Sequence, residues 1–271
     1  MNVHSVQWLN DLPAWAFLIV TLGSFVGIAL GGLYFTRPLV RRIVGQNSSH
    51  NRSIEAFIGA IAVIYGLIAG LIAIGVWTEY QTADDVVSRE ASALGALYFD
   101  VQAYPQPYRN GLQSDLRAYA RYTIDAAWPL QREGIVPTQG TEQIDRIGRV
   151  LDAFRPKTLS DEIVAETAQA QFNKMVELRR QRLHAVTLAL PPPLWAVILL
   201  GAAVVIFLSY FLSLERFPVH VILTASIATM IGLLVFMTSA IEHPFGGQVR
   251  VGPEAFQLIY DQVMAPGGNS R

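Results

Sequence analysis

Four stretches of this chain run free of aspartate, glutamate, lysine and arginine for long enough to cross a bilayer. They cover residues 13–35, 56–77, about 190–214 and 219–241. A spanning helix needs ~20 mostly apolar residues. Backbone polar groups in lipid must bond within their own segment, so each stretch reads as a helix. Four buried helices of a soluble protein are the competing possibility, but the rest of the chain is too short to wrap them. The first stretch does not read as a signal peptide: it is too long, no basic residue precedes it, and it lacks a small-residue cleavage site.

Charge is distributed to match. Residues 78–189 hold 28 of the 41 charged side chains, while the net charge of the whole chain is −1. The fold expected is an all-α membrane protein, with four transmembrane helices in two hairpins and a helical extramembrane insert between the second and third. The divisions are 1–77 for the first hairpin, 78–189 for the insert, 190–241 for the second hairpin, and 242–271 for an exit turn and short amphipathic helix. Near-neutral charge disfavours nucleic acid as a partner. The absence of cysteine excludes disulfides and thiolate metal sites.

Residues at the segment ends fit a membrane interface. Trp8, Trp15, Tyr34, Trp77, Tyr80, Trp195, Tyr210 and Phe211 lie there, where amphipathic rings favour the headgroup level. Pro191, Pro192 and Pro193 make a stiff entry to the third span. Glu215-Arg216-Phe217-Pro218 joins the third and fourth, which makes them antiparallel neighbours. Orientation stays open. Arg37, Arg41, Arg42 and Arg52 favour a cytoplasmic first loop, whereas Lys174, Arg179, Arg180 and Arg182 favour a cytoplasmic insert.

Small residues recur on two spans. Gly23, Gly27 and Gly31 repeat every four residues in the first; Gly59, Ala62, Gly66, Gly70 and Ala73 share a face of the second. Such faces let helices approach closely. Packing within the chain is the plainer expectation; packing between subunits or a narrow constriction is the other. Thr224, Ser226, Thr229, Thr238 and Ser239 on the fourth span are expected to bond to their own backbone. No aspartate, glutamate, lysine or arginine lies inside a span, which argues against a pump or proton-coupled transporter.

The insert reads as helical throughout. The second span is expected to continue to about residue 103 and to be ended by Pro105 and Pro107. Further helices fit 108–128, stopped by Pro129, then 141–154, and 160 to about 188 with Ser160 as N-cap and Asp161 and Glu162 in its first turn. The arginine-rich end of that last helix suits a helix C-terminus or the membrane surface. Pro253 can start a short amphipathic helix carrying Phe256, Ile259, Tyr260 and Val263. The five histidines show no zinc-ligand spacing, no phosphate loop or nucleophile elbow occurs, and the acidic pairs Asp84-Asp85 and Asp161-Glu162 read as solvated faces. No catalytic residue, cofactor or metal site is expected, so the chain does not read as an enzyme.

Several motifs in order carry a resemblance. They are Glu90-Ala91-Ser92-Ala93-Leu94-Gly95-Ala96-Leu97-Tyr98, then Trp128-Pro129-Leu130, then Arg179-Arg180-Gln181-Arg182-Leu183, then Leu194-Trp195. Last come Glu242-His243-Pro244-Phe245-Gly246 and Val249-Arg250-Val251-Gly252-Pro253-Glu254-Ala255-Phe256. Together, over about residues 56–264, they resemble the bestrophin-like family of uncharacterised membrane proteins, which is distantly similar to bestrophin anion channels. Tyr65-Gly66-Leu67 through Tyr80 resembles the bestrophin pore-lining second helix, and Glu242, Pro244, Phe245 and Gly246 resemble the segment entering its calcium loop.

The resemblance implies a homo-oligomer, pentameric as bestrophins are, with Val63, Leu67 and Gly70 lining a pore for inorganic anions. It also implies that the insert and both termini are cytoplasmic. Two departures stand out. Val63 and Leu67 occupy positions where bestrophins place aromatic rings. Gly247, Gln248, Val249 and Arg250 replace the acidic cluster that follows Pro-Phe-Gly, and calcium needs several oxygen ligands. The leading expectation is an oligomeric anion-conducting channel in the inner or plasma membrane. The alternative is a membrane-anchored scaffold whose insert binds a partner.

Overall fold

The computed structural model describes residues 13–44, 48–212 and 216–265, with the side chains of 41–44 and 48–54 left aside. Trp8, Arg41, Arg42, Arg52 and Glu215, all used above, lie outside what is described. The elements are helical, and no strand occurs among the described residues. In order they are α1 (Ala14–Val44), α2 (Ser48–Asp100), a 3₁₀ turn (Val101–Ala103), α3 (Tyr108–Tyr122), a π-helical turn (Thr123–Ala127) and α4 (Trp128–Arg132). Then come α5 (Gly140–Ala153), α6 (Leu159–Ala185), α7 (Pro192–Ser209), α8 (Phe217–Ile241), α9 (Glu254–Ile259) and a closing π-helical turn (Tyr260–Met264).

Four of these helices, α1, α2, α7 and α8, are long and apolar enough to cross a membrane. The chain divides into two compact units. One comprises residues up to Thr78 with Ala189–Glu242; the other comprises Glu79–Leu188 with the residues from His243 onward.

In the first unit α1 packs along α8. The Phe17 and Phe236 rings meet at 5.5 Å, and Gly232 admits Leu22 and Phe25. Arg37 lies over the Phe217 ring at 3.8 Å. Tyr210, at the end of α7, is buried; its hydroxyl donates to the Ala29 carbonyl at 2.9 Å, against Gly32. A phenol inside an apolar bundle needs such an acceptor, and a helix carbonyl across from it supplies one. Tyr65 joins α2 to α7 in the same way, donating to the Ile198 carbonyl at 3.2 Å beside Gly201. α1 also runs to Val44, through Pro38, well past the expected end at residue 35.

The second unit has its own core. The inward face of α2 (Ala83, Val87, Leu94 and Leu97) packs with Leu112 and Leu116 of α3, Ile147 and Leu151 of α5, and Phe172 and Met175 of α6. α2 runs to Asp100 and tightens into a 3₁₀ turn that reaches Ala103, where the helical run was expected to end. Two expectations about this unit need correction. Pro129 does not stop α3: the helix widens into a π turn and resumes as α4, with the proline in the first turn, where its missing N–H costs nothing. The N-cap of α6 is Thr158, not Ser160. Thr158 Oγ1 accepts from the Asp161 N–H at 3.1 Å and Asp161 Oδ2 accepts from the Thr158 N–H at 3.0 Å, a reciprocal capping box.

Candidate functional site

α2 is sparsely covered within the apolar unit. Among its described residues there, only Ile58, Ala69, Ala73 and Val76 are buried. Val63 is 72% exposed and Leu67 64%, with Leu71 and Ile74 following on the same side. Gly70 is half-buried, and a Cβ there would meet nothing within 4 Å. All three residues expected to line a pore are therefore open within one chain.

The small-residue faces behave alike. Gly23, Gly27, Gly31, Gly59 and Gly66 have no neighbour within 4 Å of an added Cβ among the described residues, so no described helix closes on them. Among the described glycines of the apolar unit, those that receive another helix are Gly32, Gly201 and Gly232. Pattern alone could not separate the two groups, since Gly32 immediately follows Gly31. On α8 Ser226, Thr229, Thr238 and Ser239 do bond to backbone carbonyls of their own helix, whereas Thr224 Oγ1 is buried without a protein partner.

The exit-turn residues split. Glu242 Oε1 accepts two hydrogen bonds, from the Leu190 N–H at 3.1 Å and the Trp195 indole N–H at 3.0 Å. Glu242 thereby ties the end of α8 to the entry of α7. Beyond it, Phe245 is buried against Trp128, with ring centres 5.7 Å apart, and the Val251 N–H returns to the Pro244 carbonyl at 2.8 Å. A Cβ on Gly246 would sit 2.8 Å from the Arg132 carbonyl oxygen, which explains a glycine at that point. Among the described residues no three His, Asp or Glu side chains group as metal ligands.

Separate motifs of the sequence converge on a buried polar cluster in the second unit. Arg182, placed by sequence at a helix end or membrane surface, is 1% exposed and Glu90 is 0% exposed. Arg182 Nε donates to Glu90 Oε2 at 2.6 Å and its Nη2 to Oε1 at 3.1 Å, a two-pronged ion pair. Arg182 Nη1 donates to Gln131 Oε1 at 2.8 Å, and Tyr119 Oη donates to Glu90 Oε1 at 2.8 Å. Trp128 and Phe256 flank the guanidinium, with ring centres 5.5 and 5.6 Å away, and the Trp128 indole N–H reaches the Val251 carbonyl at 3.4 Å.

Burial alone would make Arg182 less basic, but the adjoining Glu90 carboxylate and its hydrogen bonds outweigh that and raise it, so the guanidinium stays charged. Burial and then the Glu90 carboxylate push the Tyr119 phenol above its ordinary range, keeping it a neutral donor. The sequence shows Glu90, Trp128, Arg182 and Phe256 as letters of separate motifs, with Arg182 read as a solvated helix end and Phe256 as part of an amphipathic face, and nothing in it joins the four. Their grouping was visible only as an ordered set of short matches far apart in the chain.

With this geometry in hand, the comparison with known families becomes specific. A family model described as the bestrophin-like domain matches residues 13–256, nearly the whole chain and every motif above. The chain belongs to the bestrophin-like family. No curated protein matches it. A solved crystal structure of a protein described as a membrane protein is similar with a TM-score of 0.65 at 10% identity, covering 89% of this chain and 95% of that one. At that identity the likeness concerns the fold. This bestrophin-like chain is thus an integral membrane protein, all-helical in its described residues, with four helices able to span a bilayer.

Proposed function

We propose that this bestrophin-like protein is an oligomeric ion channel that conducts anions through a pore lined by α2. The observation that carries this reading is the open face of α2, where Val63, Leu67, Leu71 and Ile74 stand exposed on an unbroken helix. Surrounded by copies of itself, such a face makes an apolar constriction, and apolar constrictions gate by dewetting. The uncharged spans fit a passive path, since pumps and coupled transporters place ionisable groups at membrane depth.

In this reading 1–77 and 190–241 are two membrane hairpins of a multi-pass protein of the inner or plasma membrane. Residues 78–189 are a cytoplasmic insert, and 242–271 form the exit turn and C-terminal helix. The open glycines Gly23, Gly27, Gly31, Gly59 and Gly66 then serve contacts between subunits, in a ring that family likeness suggests is pentameric.

Purified protein in planar bilayers tests the reading. The expected result is single-channel current whose reversal potential in a chloride gradient follows chloride. Leu67→Ala should raise conductance or leave a leak, because it trims the constriction. Silent bilayers across salt and pH, with a monomeric or dimeric mass in detergent, would instead favour a membrane anchor for a partner-binding insert. An unchanged conductance in Leu67→Ala would remove that residue from the pore.

A further inference from the structure

We propose that the second unit carries a lipid-docking edge. The turn after α4, with Ile135 and Val136 at its tip, and the exit turn, with Val249, enter the headgroup layer, where Arg132 and Arg250 meet the phosphates of anionic phospholipids. Such an edge requires a chain that spans a membrane, not one that conducts ions.

Connectivity locates the edge. α8 has 25 residues and ends at Ile241, and a helix of that length is about 38 Å long. That exceeds a hydrocarbon core of ~30 Å but not the ~40–45 Å of core and headgroups together. The chain therefore leaves α8 among headgroups. The second unit resumes two residues later, at His243. His243 Nδ1 lies 3.2 Å from the carbonyl oxygen of Leu188, the residue at which the same unit leads into the approach to α7. Two crossings between the spans and this unit thus lie side by side within it. The exit turn closes on the same spot: the Gly247 N–H returns to the His243 carbonyl and the Val251 N–H to the Pro244 carbonyl, each at 2.8 Å. Val249 and Arg250 stand between those closures, and Gly246 backs onto the Arg132 carbonyl.

The turn at Arg132 is built to present its tip. α4 ends there, and Gly134, at φ 74°, supplies the left-handed residue that closes the helix. The Gly134 N–H returns to the Gln131 carbonyl at 3.0 Å and the Ile135 N–H to the Leu130 carbonyl at 2.9 Å, the paired bonds of a Schellman motif. An apolar residue in the place of Ile135 commonly packs back onto the last helical turn. Here it is 48% exposed, and Val136 and Val249 are exposed as well. Apolar side chains held out by a closed turn are unfavourable in water and favourable in an interfacial layer. Arg132 and Arg250 are both exposed, and neither forms an ion pair with a described residue. One exposed carboxylate, Glu133, stands beside these two arginines, so positive charge is in excess and suits an anionic surface.

The chain contains no cysteine, so single cysteines report cleanly. Ile135→Cys and Val249→Cys would be labelled with a polarity-sensitive fluorophore in the full-length protein. Each would be reconstituted into vesicles of phosphatidylcholine, alone or mixed equally with phosphatidylglycerol. Leu159→Cys is the reference. Leu159 is also apolar and exposed, but it opens α6, whose other end, Ala185, lies three residues from Leu188. The 27 residues of α6 put about 40 Å between those ends.

Lipid bearing a nitroxide near its headgroup should quench the labels at 135 and 249 and leave the label at 159 bright. An anionic quencher should outdo a zwitterionic one, since each arginine at an anionic surface favours such lipid by about fivefold. Arg132→Gln together with Arg250→Gln should remove that preference. Equal quenching at all three positions, or none at 135 and 249, overturns the docking edge. A label at 135 that is shielded from water yet unquenched also overturns it, and gives the surface to a second copy of the chain. A preference unchanged in the double arginine variant overturns the role of the arginines. None of these readouts depends on current.

Discussion

The indole N–H of Trp195 ends on the same carboxylate oxygen of Glu242 that receives the backbone N–H of Leu190. One side chain at the end of α8 thus holds the beginning of α7, next to three prolines that already stiffen it. Hydrogen bonds to a charged acceptor contribute about 1.5–3 kcal/mol. Glu242→Ala loses both bonds and should lower the melting temperature in detergent clearly. Trp195→Phe loses one and should cost less. The double variant should match Glu242→Ala, because the tryptophan bond is already gone; a fully additive double would show that the two residues act separately.

The buried pair of the second unit should behave differently from a surface bridge. Arg182→Met strands the Glu90 carboxylate among apolar side chains, and removing one partner of a buried pair costs about 3–5 kcal/mol. Glu90→Leu combined with Arg182→Met leaves no unpaired charge and should recover part of that loss. Thermal unfolding of the single and double variants in detergent checks it. A double variant less stable than either single one would mean that the pair is a net stabiliser rather than a matched set.

These two clusters mark where sequence stopped being informative. Spanning helices were legible because lipid imposes one simple rule on long uncharged segments. The apolar stripe of α5, Ile144, Ile147 and Leu151, was legible because its period is local. Arg182 was not: an arginine near a helix end is nearly always solvated, and only partners far off in the chain, Glu90 and Gln131, make its burial possible. Thr158 was missed for a nearer reason, since Ser160 is an equally good cap by type. The choice depended on Asp161 standing three residues after Thr158. The open face of α2 is intermediate. Val63 and Leu67 were found through family likeness, while their exposure required the packing of every other helix to be known.

The glycines offer a sharp contrast. Alanine at Gly201 would drive a methyl into the Tyr65 ring and break its bond to Ile198; alanine at Gly32 would do the same to Tyr210 and its bond to Ala29. Overpacking of this kind costs about 1–3 kcal/mol, so both variants should be less stable or poorly expressed. At Gly27 and Gly66 an added Cβ meets nothing within 4 Å among the described residues, so Gly27→Leu and Gly66→Leu should leave the protomer folded. If copies pack through these faces, the two leucine variants should lower the oligomeric mass in detergent while retaining helical content. An unchanged mass would place the subunit contacts elsewhere.

Thr158→Ala removes the cap of α6 and should cost about 1 kcal/mol. Its partner adds a pH signature. Hydrogen bonds from Lys157 and Thr158 hold the Asp161 carboxyl below its ordinary value of 3.8. A depressed carboxylate stabilises the fold above the unfolded value, and that contribution is lost as pH falls through the folded one. Acid unfolding below about pH 4 should therefore begin earlier in the protein than in Asp161→Asn, measured against each protein's own stability at neutral pH. Identical acid profiles would dissociate the box from acid sensitivity.

At the alkaline end the buried tyrosines act in the opposite sense. Burial, with help from the Asp100 carboxylate, pushes the Tyr104 phenol up from 10.0 to about 12. Tyr119 is raised as well, first by burial and then by Glu90. Between these values and the ordinary one, the unfolded chain releases protons that the folded protein retains, so stability falls as pH rises. The contribution is whole below pH 10.0, the ordinary tyrosine value, and for Tyr104 it is exhausted once pH passes about 12. Chemical denaturation at stepped pH should show this decline, and Tyr104→Phe should flatten it, since phenylalanine keeps the ring contact with Phe154 and has no proton to lose. A decline equally steep in Tyr104→Phe and in Tyr119→Phe would assign alkaline sensitivity to other groups.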